Sequence, residues 1–321
     1  PPNTTVLTNI VVNVAVVAVL VALGWFTWTM RRAANPFAKW GILISGGFAT
    51  LILTVFSVFG TRGMFQLYMP RGTVARDLRV DMSPERIERG KHIAGMLCAG
   101  CHTLNGQLPL SGGKNLSDEA GMPLGDLYTI NLTPAGPLRD WTDGEIFRAV
   151  RQGADKDRRR LPVMSAQAAR NMSDADLESV IAYLRSQPAV ENPTPPVRPS
   201  FLLAIMSGAG LVPAQPGILT EPVIAPPAGI TLAYGKYMVG WMGCEECHGA
   251  NLTGGGGGVV PVGPNLRSVK NWSRDGFLMT FRTGTNPFGK QLDSLTMPYK
   301  TVGRASDDEL TAIYTYLVSL P

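Results

Sequence analysis

Two five-residue stretches constrain this 321-residue chain more than anything else in it: Cys98-Ala99-Gly100-Cys101-His102 and Cys244-Glu245-Glu246-Cys247-His248. They use all four cysteines and two of the three histidines, so no cysteine is left for a disulfide. Two thiols three residues apart can form thioethers to the two vinyl groups of one haem, and the adjacent histidine is then held beneath the iron as an axial ligand. A single C-x-x-C-H also suits a redox or zinc site, but two of them inside one repeat are far more specific. The residues therefore read as attachment points for two covalently bound c-type haems.

The repeat runs well beyond the motifs. Gly90-Lys91 and Gly235-Lys236 match at an offset of 145, the motifs at 146, Trp141 and Gly153 with Trp272 and Gly284 at 131, and Met164, Ser173 and Tyr183 with Met297, Ser306 and Tyr316 at 133. The first copy is thus 13 residues longer between its motif and its methionine, an excess expected as a loop around residues 103–128. Each copy reads as a small helical domain. One helix leads into the motif, from Ser83-Pro84 in the first copy. A second follows Trp141 or Trp272 and stops at Gly153 or Gly284. A last helix starts at Ser173 or Ser306, the latter with Glu309 in a capping-box pattern. Its apolar positions, Leu177, Val180, Ile181 and Leu184 or Leu310, Ile313, Tyr314 and Leu317, follow helical spacing.

Two bis-histidine irons are arithmetically impossible with three histidines. The remaining one, His92, matches Tyr237 and reads as a packing residue. Met164 and Met297 occupy matching places and are the expected sixth ligands, since a thioether favours ferrous iron. The competing reading is that both only fill core, with Met122 and Met172 as rivals to Met164. The carbonyl of Pro264, in Gly263-Pro264-Asn265-Leu266, is placed to accept the Nδ1 proton of His248. The matching stretch in the first copy is Ile130-Asn131-Leu132. Arg151 and Arg282 also match, as haem-propionate partners or as solvated surface arginines.

Residues 1–30 and 40–59 carry no charged side chain. The apolar runs 10–30 and 40–59 are each about 30 Å long as helices, enough to cross a hydrocarbon core. Between them lie Arg31, Arg32 and Lys39, flanked by Trp25, Trp28 and Trp40, as at a membrane interface. The positive-inside rule places this turn in the cytoplasm and the chain beyond residue 59 outside. The first run has no basic residue ahead of it, which sets it apart from a signal peptide. Of the net charge of +5, residues 31–60 supply +3; the rest shows no basic stripe interleaved with aromatics, so nucleic acid is not an expected partner. Residues 188–228 contain ten prolines and read as an extended linker with one apolar patch at 201–206. The glycine run 254–258 reads as a loop, without the lysine of a phosphate loop.

Both copies resemble class I cytochrome c domains. The stretches Asn131-Leu132-Thr133-Pro134, Trp141-Thr142-Asp143, Leu161-Pro162-Val163-Met164 and Ser173-Asp174-Ala175-Asp176 through Tyr183-Leu184-Arg185-Ser186 resemble the cytochrome subunits of bacterial membrane dehydrogenases. Those subunits usually carry three haem domains and lack the N-terminal hairpin. Two membrane helices followed by two haem domains are similar to the dihaem subunit of cbb-type haem–copper oxidases, as is, over a short stretch, the turn Asn35-Pro36-Phe37-Ala38-Lys39-Trp40. The expected fold is all-α: a transmembrane hairpin over 1–60, cytochrome c domains over 61–187 and 229–321, and the linker 188–228 between them. The resemblance implies an electron-transfer subunit of a membrane respiratory or photosynthetic redox complex, not catalytic alone. It would sit in a bacterial cytoplasmic membrane with its haem domains on the periplasmic side. Its partners would be other subunits, a soluble electron carrier or oxidase, and the lipid bilayer. The alternative is a dihaem peroxidase, which needs one iron with an open sixth position.

Overall fold

Helices begin where a side chain can take up their free backbone amides, and this chain marks its starts that way. Asn35 accepts from the Phe37 and Ala38 amides ahead of the second helix, and Ser173 and Ser306 cap the last helix of each repeat. Ser306 and Glu309 form the expected reciprocal capping box; Thr142 and Glu145 form another. The computed structural model describes residues 2–164, 168–212, 217, 219, 221–255, 262–294 and 296–321. The glycine run 254–258 lies mostly outside them. The helices are α1 (Pro2–Met30), α2 (Pro36–Tyr68), α3 (Pro84–Met96), α4 (Leu116–Ala120), α5 (Asp143–Gln152), α6 (Asp174–Ser186), α7 (Phe201–Gly208), α8 (Leu232–Trp241), α9 (Cys244–His248), α10 (Arg274–Thr283), α11 (Tyr299–Val302) and α12 (Asp307–Val318). Among the described residues the only β-sheet is two-stranded, β1 (Gly125–Asp126) with β2 (Arg198–Pro199). The fold is all-α.

The chain forms two compact units. In the first, α1 and α2 pack as a hairpin, and both are long and apolar enough to cross a membrane. They are not core helices: Trp25, Phe48, Leu51 and Val58 are each more than half exposed, at 67%, 65%, 60% and 57%. Such a surface is stable against lipid, not water. Gly46 lets the two helices meet, since a Cβ there would lie 2.2 Å from Thr27 Oγ1, whereas Gly47 faces open space. Asn13 Nδ2 donates to Thr61 Oγ1 (2.8 Å), and Asn9 Nδ2 to Tyr68 Oη (2.6 Å) and the Pro199 carbonyl (3.0 Å). α2 continues nine residues past Phe59, the end of the uncharged run.

The same unit contains two pieces that sequence spacing had read as loop and linker. Residues 115–127 form α4 and β1, and residues 196–212 form β2 and α7. β1 and β2 pair antiparallel, Gly125 opposite Pro199. The apolar patch of the linker is α7, packed on α2.

In the second unit the repeat is explicit in space. α3 packs on α6 and α8 on α12. At each crossing a glycine admits the partner's backbone: a Cβ on Gly90 would lie 1.8 Å from the Ser179 carbonyl, and one on Gly235 2.0 Å from that of Ala312. Leu177, Val180, Ile181, Leu184, Leu310, Ile313 and Leu317 are buried as their spacing requires. Tyr314 is only partly buried and donates its hydroxyl to the Trp272 carbonyl at 2.8 Å. Helices α5 and α10 end at Gly153 and Gly284, both left-handed (φ 62° and 76°).

Arg151 is buried, not a solvated surface arginine, whereas Arg282 is exposed as expected; both are tied to the chain ahead of the terminal helices. Arg151 donates to the carbonyls of Arg170 and Met172 and to Asp174. Arg282 donates to the carbonyls of Gly303 and Ala305 and to Asp307. Each fastens the strand of chain between its methionine and its terminal helix, at matching residues of the repeat.

Candidate haem-binding site

Cys244–His248 is one helical turn, α9. In the first copy His102 N–H bonds the Cys98 carbonyl at 2.8 Å, the same turn. Residues spaced i, i+3 and i+4 on a helix share a face, so each turn presents two sulfurs and one imidazole together. The second nitrogen of each imidazole is committed: His248 Nδ1 bonds the Pro264 carbonyl at 2.7 Å, as expected, and His102 Nδ1 bonds the matching Ile130 carbonyl at 3.1 Å. With Nδ1–H so used, Nε2 is the nitrogen available to a metal.

Each turn supplies two sulfurs three residues apart and one imidazole, the set that tethers and ligates one c-type haem. Burial pushes the Cys98 and Cys244 thiols up to about 12. Among the described residues no three His, Cys, Asp or Glu side chains converge as a metal-ion site. Burial also lowers the pKa of His102, favouring the neutral ring that ligates iron. In the second copy the buried N–H groups of Trp241 Nε1 and Arg267 Nε have no protein partner. The two carboxylates of a haem are acceptors of the kind they require.

Met164 and Met297 are both half-buried, not sealed in core. The rivals of Met164 are placed otherwise. Met172 is 1% exposed within the apolar core, and Met122 closes the short α4 turn in the other unit.

Sequence reasoning missed a polar cluster between the two copies. His92 is not simply a packing residue: its Nε2 bonds Glu309 Oε2 at 2.7 Å, 217 residues away. Its repeat mate Tyr237 donates to Asp176 Oδ2 at 2.6 Å, and Asp176 is the mate of Glu309. Arg89 sits between, donating to Asp176 Oδ1 (2.8 Å), Glu309 Oε1 (3.1 Å) and its own mate, Tyr234 Oη (3.3 Å). Flanking contacts pair the same way. Arg304 Nη1 donates to the Gly95 carbonyl (2.8 Å), and its mate Asn171 Nδ2 to that of Gly240 (3.4 Å). His92–Glu309 with Tyr237–Asp176, and Arg304–Gly95 with Asn171–Gly240, are counterparts, as in a two-fold interface, here within one chain. Burial would raise the pKa of Glu309, but hydrogen bonds from His92, the Ser306 amide and Arg89 outweigh it and hold it at about 2. Tyr237 is raised, by burial first and then by Asp176. The available signal was the repeat itself: polar residues on helix faces that an isolated domain would leave to solvent.

Residues 87–188 and 232–321 match the cytochrome c family model. The chain is 30% identical to a nicotinate dehydrogenase subunit of Pseudomonas putida over 270 residues, 74% of this chain and 22% of that protein. It is 27% identical to the gluconate 2-dehydrogenase cytochrome c subunit of Pantoea cypripedii (73% of this chain, 59% of that one). To the cytochrome c subunit of the quinone alcohol dehydrogenase of Gluconobacter oxydans it is 28% identical (75% and 56%). It thus spans between about a fifth and three-fifths of the length of these curated relatives. More than half of the chain lies within matched sequence, and the chain belongs to the cytochrome c family, whose cofactor is covalently bound c-type haem.

Proposed function

We propose that this chain is an electron-transfer subunit of a membrane redox complex, carrying two c-type haems in modules spanning 61–187 and 229–321. The observation that carries the reading is the same histidine–carbonyl arrangement beside a C-x-x-C turn in both copies, each followed by a matched methionine. Bound haem supplies a one-electron iron couple. The chain's own residues do the rest. Cys98 and Cys101, and Cys244 and Cys247, tether the two groups. His102 and His248 would hold the iron through Nε2 while their Nδ1 atoms fix the rings in one orientation. Met164 and Met297 would supply the second protein ligand to each group, leaving neither open to a substrate, which suits electron relay and not peroxidase chemistry. The Arg89 cluster holds the two modules as a fixed pair, which makes passage between them intramolecular.

The dehydrogenase cytochrome subunits among its relatives support a place in such a complex. The basic turn at 31–39 supports an orientation with that turn in the cytoplasm of a bacterial cell and both modules outside. There they would pass electrons between a dehydrogenase or quinol-oxidising enzyme and a soluble carrier or terminal oxidase. The test is purification from native membranes in mild detergent. The expected result is two haems per chain by pyridine haemochrome assay, a reduced spectrum unchanged by carbon monoxide, and co-migration with other redox subunits. One haem per chain, or ready carbon monoxide binding at one iron, would overturn the relay reading. A partnerless monomer would overturn the subunit reading.

A further inference from the structure

The hairpin unit contains a third element fitted for lipid. Residues 199–220 carry no charged side chain, an unusual length for a connecting segment, and lie between Arg198 and Glu221. Within them α7 packs on α2 at backbone distance. A Cβ on Gly63 would lie 1.7 Å from the Ala204 carbonyl, one on Gly208 1.9 Å from that of Phe59, and one on Gly60 2.5 Å from the Phe201 ring. These contacts meet α2 from Phe59 to Gly63, and the buried face of α2 runs on to Leu67.

The level of that contact is set by the hairpin. Trp25, Trp28 and Trp40 mark one interface, and the twenty residues from Trp40 to Phe59 span about 30 Å of hydrocarbon. α7 therefore meets α2 where the hydrocarbon ends, on the side away from the basic turn. Its inner face is sealed: Leu203, Ala204 and Met206 are buried. Leu202 of α7 is 37% exposed and Leu211, three residues past its end, 51%; on α2, Phe56 and Phe65 are 46% and 52% exposed. Ser200 caps the first turn, and the Leu211 amide bonds the Met206 carbonyl.

We propose that the segment containing α7 is a membrane-contacting element at the bilayer boundary, inserting Leu202 of α7 and Leu211 just after it among the acyl chains near the headgroups. It continues the lipid-facing surface of α2 and makes the hairpin anchor three-sided at that boundary. A protein partner covering the same face is the competing occupant. The inference rests on α1 and α2 spanning a membrane.

The test uses the full-length haem-loaded chain in native membranes, with single cysteines for spin labelling; the four native cysteines are consumed by thioethers. Leu202→Cys and Leu211→Cys are compared with Val58→Cys on α2 and Asp275→Cys on an exposed site. Collisions with oxygen, which concentrates in lipid, are read against those with a water-soluble nickel chelate. The expected oxygen-to-nickel ratio at 202 and 211 is several-fold above that at 275 and below that at 58. A ratio at 202 and 211 equal to that at 275 places α7 in water and overturns the proposal. Shielding from both reagents shows a protein cover and overturns it too. If position 58 itself reads as water, the spanning hairpin has failed, which is a separate result.

Discussion

Where the first cytochrome module presents Arg89 and His92 from α3, the second presents Tyr234 and Tyr237 from α8. Where the first offers Asp176 from α6, the second offers Glu309 from α12. Two identical copies meeting about a two-fold axis would set Arg89 against a second arginine. Here one guanidinium near the axis serves both carboxylates, and a tyrosine hydroxyl fills its mate's place. The acids kept the same position and the same kind of partner, while the basic residue survives on one side only. The modules share a fold and differ at the surface where they meet, so neither can replace the other in the pair.

The largest test of that comparison is at the proposed sixth ligands. Met164→Ala and Met297→Ala should each leave both haems attached, open one iron to carbon monoxide, and lower that iron's potential by on the order of 0.1 V or more, within the ~0.8 V that axial ligation spans. Redox titration of the two variants should move different components. If both variants move the same component, or neither binds carbon monoxide, the ligand assignment fails.

The interface comes next. Arg89→Ala leaves Asp176 and Glu309, 11% and 8% exposed, without their shared cation. Breaking a buried ion pair costs about 3–5 kcal/mol; with Arg89 itself 30% exposed, about 2–3 kcal/mol is expected in urea melts. Tyr234→Phe removes one long hydrogen bond from the Arg89 guanidinium, at 3.3 Å, and should cost about 1.5 kcal/mol. Equal losses would show that the asymmetry of the pair is without energetic consequence.

Acid should erode the same cluster. The folded pKa of Glu309, about 2, lies below its usual 4.5. A depressed carboxylate contributes stability that is fully present above the unfolded value and is lost as pH falls through the folded one. The wild-type advantage over Glu309→Gln should therefore be constant above roughly pH 5 and shrink toward pH 2, by about 1–2 kcal/mol after allowance for solvent screening. An advantage that does not change across that range would count against a charged Glu309 at the interface.

What could be read in advance was local. Ser83-Pro84, Ser306 with Glu309 and the stop glycines act within one turn of chain, so residue type and spacing suffice. So did the Pro264 carbonyl, sixteen residues from its histidine. His92 could not be placed because its partner is 217 residues away and its role exists only once two modules meet. The surface reading of Arg151 failed for a related reason: an arginine that caps distant carbonyls looks, in sequence, like one on a surface. The linker's composition of proline and glycine hid α7, whose helix is held by α2 and by Ser200 more than by its own eight residues.

The smallest difference between the modules lies beneath the irons. His248 Nδ1 sits 2.7 Å from its carbonyl and His102 Nδ1 3.1 Å from its own. The residue before that carbonyl is Gly263 in the second module and Thr129 in the first. A Cβ on Gly263 would lie 2.6 Å from His248 Nδ1 and 2.8 Å from Cε1, so the ring occupies the space a side chain would take. Thr129 is accommodated, with its hydroxyl accepting from the Lys114 amide at 3.1 Å. Gly263→Ala should therefore push the ring from Pro264 and weaken that hydrogen bond, while nothing changes at His102. A weaker acceptor at Nδ1 makes the imidazole a poorer donor to iron and favours the ferrous state. The potential of the second haem should rise by less than about 0.1 V, a small part of the range axial ligands span. The component that moves must be the one Met297→Ala lowers. A shift shared by both haems, or confined to the one Met164→Ala lowers, would show that the carbonyl does not tune its own iron.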